Sequence, residues 1–195
     1  MFQSFVIVGW VISVSLSSLD ANFAKAVEGS ILAQSRPGAT QSRTVIALDA
    51  EGLRLVNPST GSTKALSFGM KESNVISVLT QLRGKPRERG TNQECGAGPL
   101  GFATWADGLT IWFEKGRFAG WIVDGRQKGS NRLTTIAGIG TGATRSTLTN
   151  AYAVDVFQST LGIEFTAGSF GGLLSGTQQN ARVMTFWSGV TCLFR

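Results

Sequence analysis

The chain contains no histidine. This removes the Ser-His-Asp and Cys-His constellations, His-ligated metals and the commonest general base together. Its two cysteines, Cys95 and Cys192, are too few for a four-thiolate zinc site. Neither a metal nor a cofactor is expected. Charged residues make up only 15% of the 195, and the acidic ones are scattered. Asp49 with Glu51 and Glu88 with Glu94 are the near pairs, and neither has the apolar neighbours that would raise a pKa for acid catalysis. No G-x-S-x-G occurs, and Ser169 falls in a turn region. Gly138-Ile139-Gly140-Thr141-Gly142 lacks both the dinucleotide spacing and the P-loop lysine, so it reads as a turn entering a helix. The expectation is a protein that is not an enzyme and has no specific nucleic-acid partner and no small-molecule cofactor.

Glycine is plentiful at 25, the mark of an exported, turn-rich β or α+β chain. Eighteen basic residues against twelve acidic ones give a net charge of +6. That charge aids solubility and favours acidic partners. Residues 1–26 read as a secretory signal. The apolar run at 5–19 is shorter than the roughly 20 residues a membrane helix needs, and Ala24-Lys25-Ala26 supplies small residues at a cut site. The segment MFQS carries no Lys or Arg, which also fits an uncleaved anchor. Export to a periplasm or beyond makes a Cys95–Cys192 disulfide the expectation. Residues 27–43 read as a flexible spacer.

From Thr44 the chain alternates short strands and helices. TVIALD at 44–49 and GLRLV at 52–56 are strands, followed by the turn Asn57-Pro58-Ser59-Thr60-Gly61. Residues 71–83 form the clearest helix, with Val75, Ile76, Val78, Leu79 and Leu82 on one face and Gly84 and Pro86 as its stop. Residues 83–98 read as a loop, in which Arg83, Lys85, Arg87 and Arg89 could dock an anionic envelope surface. Residues 100–123 read as a three-stranded meander turning at Asp107-Gly108 and Lys115-Gly116. Two-residue turns would set Trp105 opposite Thr110, Glu114 opposite Arg117 and Phe113 opposite Phe118. Alternation would then put Phe102, Thr104, Leu109, Ile111, Phe113, Phe118 and Ile122 on one face, and Trp105, Trp112, Glu114, Arg117 and Trp121 on the other. A second basic loop at 124–132 precedes a short strand at 133–136 and a helix at 144–152 capped by Thr144. Later strands are expected at 154–158, 162–166, 171–174 and 183–187.

The stretch LTIWFEKGRFAGWI at 109–122 recurs as LGIEFTAGSFGGLL at 161–174. Internal similarity of this kind marks a duplicated unit. The expectation is an α+β fold of two tandem helix-on-antiparallel-sheet repeats, at 44–132 and 133–195. Leu109, Ile111, Phe113 and Phe118 stay apolar between the copies and read as core. Trp112 and Trp121 do not recur, and Arg117 corresponds to Ser169. With Trp105 they compose a face suited to a protein partner.

Phe68-Gly69-Met70, Val75, Leu79 and Gly84-x-Pro86 resemble the G-M-x4-V-x3-L…G-x-P signature of the outer-membrane assembly lipoprotein E (SmpA-like) fold. The tandem arrangement resembles that of the secreted β-lactamase inhibitor protein, and the chain from about Thr44 on resembles exported bacterial proteins. The resemblance implies the helix-on-sheet fold and does not carry over inhibition of any enzyme. The inhibitor-like or envelope interaction role is expected from the tryptophan face. No cysteine stands near the signal cut, so lipoprotein-type attachment is not implied.

Overall fold

The fold begins with an alternating strand pair that a turn extends to a third. In the computed structural model, which describes residues 44–193, β1 (Val45–Asp49), β2 (Gly52–Val56) and β3 (Thr63–Ser67) form an antiparallel meander. The expected signal and spacer lie outside the described residues. The turn at Asn57 is as read: its side-chain oxygen accepts from the Ser59 and Thr60 amides at 3.0 and 3.3 Å. The strand beyond it has no signature in the sequence, because in TKALS only Leu66 is buried and no apolar alternation announces it.

Helix α1 (Glu72–Arg83) buries Val75 and Leu79, while Ile76, Val78 and Leu82 pack partly against the same core. Lys71 provides no side-chain cap, and Gly84 closes the helix with its amide on the Thr80 carbonyl. Four strands follow: β4 (Glu88–Asn92), β5 (Leu100–Thr104), β6 (Leu109–Glu114) and β7 (Arg117–Asp124). β4 corrects the expected loop at 83–98. Its residues are nearly all exposed at a sheet edge, where the charged pair Glu88 and Arg89 stands in place of apolar alternation. A 3₁₀ turn (Ser130–Arg132) leads to Thr134 and Thr135, which make isolated bridges rather than the strand expected at 133–136. Helix α2 (Arg145–Ala151) is capped as read, with the Thr144 hydroxyl accepting from the Thr147 amide at 3.1 Å. It precedes β8 (Asp155–Ser159), β9 (Gly162–Ala167), β10 (Phe170–Leu174) and β11 (Val183–Gly189).

The eight later strands form one antiparallel sheet in the order β4-β5-β6-β7-β11-β10-β9-β8. Each half is a helix followed by a four-strand meander, and the halves join through their last strands, β7 and β11. This is the expected α+β class. The inner face of the sheet packs with α1, α2 and the β1–β3 meander around a single large core. Leu109, Ile111, Phe113, Phe118, Phe165 and Phe170 all lie in it, as their recurrence implied.

Two one-residue irregularities change which residues face that core. The β5–β6 connection is a three-residue loop, Ala106-Asp107-Gly108, with the Trp105 amide on the Leu109 carbonyl at 2.8 Å. Gly108 takes φ +85°, the left-handed residue that such a loop needs. Thr104, not Trp105, therefore faces Thr110. The β6–β7 turn is the two-residue one expected, pairing Glu114 with Arg117 and Phe113 with Phe118, but Ala119 is then an extra residue. Beyond this bulge Trp112 faces Gly120 and Ile111 faces Trp121. Because side chains alternate with a period of two, each slip moves a set of residues to the other face. Trp105 and Trp121 turn inward, while Phe102, Thr104 and Ile122 turn outward.

Candidate binding surface

The expected tryptophan face does not exist in the folded chain. Trp121 is fully buried and donates its indole N–H to the Asp49 carbonyl at 2.9 Å, which ties β7 to the small meander. Trp105 is 3% exposed and donates to the Gly84 carbonyl at 2.9 Å, fixing the end of α1. Arg117 is exposed, yet its guanidinium donates to the Gly69 carbonyl at 2.9 Å, where the chain enters α1. Only Trp112 stays on the outer face, and it is 9% exposed.

What covers Trp112 is the end of the chain. After Gly189 the backbone leaves β11 and crosses over β7, with the Val190 amide on the Ala119 carbonyl at 2.9 Å. Gly120 permits the crossing, since a Cβ there would lie 2.0 Å from the Val190 carbonyl oxygen. The Cys95–Cys192 disulfide, with Cα atoms 5.0 Å apart, then fastens this segment to the β4–β5 loop. Cys95, Leu100 and Trp112 form a second small core, joined by Phe102, Ile122, Val190 and Cys192. The indole nitrogen of Trp112 has no hydrogen-bond partner there. The disulfide thus acts as a clasp on the outer face of the first half.

The second half presents a different surface. Its outer face carries the cross-strand row Phe157, Glu164, Leu173 and Thr185, with Met184 beside Thr185 as the extra residue of a β10–β11 bulge. Phe157 and Met184 are 42% and 41% exposed, Leu173 is half-buried and Glu164 is buried. At about 4.8 Å per strand the row spans roughly 14 Å. In the next row Trp187 lies over Gly171, with exposed Thr166 and Asp155 toward the edge. None of these residues stood out in the sequence. The signal that was present is the alternation in DVFQS, where Phe157 shares the face of Asp155.

The cation run is dispersed by the fold. Arg83 is partly buried and paired with Asp107, and burial lowers its pKa. Arg89 pairs with Glu72 on α1 at 2.5 Å. Lys85 and Arg87 remain exposed. The carboxylates likewise serve structure. Burial pushes the Asp49 carboxyl up, but the Glu51 amide and the Arg54 guanidinium outweigh it and hold it below the usual range. The Arg126 guanidinium holds Asp124 low in the same way. Gly138 to Gly142 turns into an α2 of only seven residues. Among the described residues no cluster of carboxylates or thiols could hold a metal, and no helix is long and apolar enough to cross a membrane.

No protein-family model, no curated protein and no solved structure matches the chain.

Proposed function

We propose that the chain is an exported, non-enzymatic binding protein that docks another protein on the outer face of β8–β11. The observation that carries this reading is the row from Phe157 through Leu173 to Met184. Among the described residues only four large apolar side chains are exposed, and two of them end this row. Apolar Phe157, Leu173 and Met184 alternating with Glu164 and Thr185, with Asp155 and Thr166 at the rim, form a mixed surface of the kind protein interfaces use. The disulfide fits an oxidising compartment, as export requires. The helix-then-four-strands order occurring twice, together with the recurring L-x-I-x-F frame, supports a duplicated unit. The G-M-x4-V-x3-L motif supports kinship with SmpA-like folds, and a tandem, inhibitor-like build favours a protein as the partner.

A photo-crosslinking residue at position 157 of the exported chain tests this reading. It should trap one defined partner. Phe157→Ser with Met184→Ser should weaken that complex roughly thirtyfold, the loss expected from an interface anchor. The thermal midpoint should hardly move. Unchanged binding by the double variant would remove this face from consideration.

A further inference from the structure

Ile136 is the most exposed large apolar side chain among the described residues, at 68%. It stands on a small, well-tied hairpin. Thr134 bridges Gly140, the Thr135 amide donates to the Ile139 carbonyl at 2.7 Å, and the Gly138 amide donates to the Thr135 carbonyl at 2.9 Å. The buried Thr135 hydroxyl accepts from the Tyr152 hydroxyl at 2.8 Å and from the Ile139 amide at 3.3 Å. The foot is fixed in the core, so Ile136 and exposed Ala137 project from a set position. An isoleucine held in water contributes nothing to folding.

Basic side chains outnumber acidic ones in the part of the chain that carries this tip, and the nearby Asp49 and Asp107 are each paired with an arginine of their own. From Gly125 onward the only acidic side chains are Asp155 and Glu164, against Arg126, Lys128, Arg132, Arg145, Arg182 and Arg195. Arg126 is neutralised by Asp124. Arg132 stands just before the hairpin and borders an open cleft with Leu133 and with Asp107, whose carboxylate is paired with Arg83. On another side, Arg182 lines a second cleft with Thr134 and Gly138 and donates to the Gly142 carbonyl at 2.8 Å. Among the described residues neither guanidinium is matched by a carboxylate.

We propose that the hairpin at 134–140 docks the protein on an anionic lipid surface. Ile136 enters the boundary between headgroups and acyl chains, and Arg132 and Arg182 meet the phosphates beside it. The chemistry is that of interfacial anchors generally, an apolar tip with cations at headgroup depth. A protein partner would call for a wider apolar area than one side chain on a narrow hairpin. This surface is separate from the outer sheet face and does not depend on it.

Residues 5–19 are apolar enough to hold the full chain on any vesicle, so the test must read the tip itself. An environment-sensitive fluorophore on Ala137→Cys, with the native disulfide intact, reports this through quenching by lipid-borne nitroxides. Vesicles of phosphatidylcholine with phosphatidylglycerol should quench and blue-shift the label, and pure phosphatidylcholine should not. Arg132→Gln, which removes no hydrogen bond, should weaken tip docking about fivefold, and adding Arg182→Gln should bring the loss to roughly 25-fold. Ile136→Ser should abolish quenching on the anionic vesicles. Absent quenching on anionic vesicles, or equal quenching on neutral ones, overturns the proposal. So does a label that shifts only when a second protein is added.

Discussion

The two halves of the large sheet share their element order but differ on their outer faces. In the β4–β7 half, the chain end crosses at Gly120, the disulfide fastens it, and Trp112 is sealed beneath. In the β8–β11 half no disulfide clasp exists, and Phe157 and Met184 stand in water. The inner faces are alike, because both must pack one continuous core. The difference shows that a helix-on-sheet scaffold constrains one side of each strand and leaves the other to be capped or used.

Opening the clasp should have the largest effect. The disulfide joins residues 97 apart in sequence. Replacing both cysteines by serine should therefore cost roughly 4–5 kcal/mol in the chain-entropy account. Urea unfolding measures the loss, and acrylamide should quench Trp112 in the variant before global unfolding. Trp121→Ala comes next, at about 3–5 kcal/mol, as expected for emptying a core tryptophan site. It also orphans the Asp49 carbonyl. A loss of only a few tenths would return Trp121 to the surface and undo the inward turn assigned to it.

The faces of the first half were hidden by events that leave almost no trace in a sequence. Asp107-Gly108 and Lys115-Gly116 look alike, yet the first lies in a three-residue loop and the second is a two-residue turn. Ala119 is an ordinary small residue, and nothing in RFAGWI announces a bulge. What was legible came from repetition and punctuation. The recurring Leu109, Ile111, Phe113 and Phe118 marked the core, Gly84 marked the end of α1, and Thr144 marked the start of α2. The cations of residues 83–89 resembled a docking loop because their carboxylate partners, Asp107 and Glu72, are distant in sequence. β3 and β4 were illegible for a simpler reason: strands that bury one side chain or none carry no alternation.

Smaller effects sharpen the contrast between the halves. Gly120→Val should displace the crossing segment and cost about 1–3 kcal/mol, the usual range for overpacking. Trp112 should gain exposure while the fluorescence of Trp121 stays unchanged. Phe157→Ser and Met184→Ser should shift stability by no more than about 0.5 kcal/mol each, since neither supports the core. Acid should weaken the fold slightly through Asp49 and Asp124. Both have folded pKa values below their unfolded ones. Their stabilisation is therefore complete above about pH 4 and is lost as pH falls through the folded values. Asp49→Asn with Asp124→Asn should flatten that part of the stability profile.

Hydroxyl-radical footprinting of the purified, oxidised chain tests the contrast most directly, with each residue's rate referred to that in the unfolded chain. Phe157 and Met184 should be modified promptly and Trp112 strongly protected, with reduction of Cys95–Cys192 releasing Trp112 alone. Protection of Phe157 and Met184 in the isolated chain, or a Trp112 that reacts freely with the disulfide intact, would contradict it.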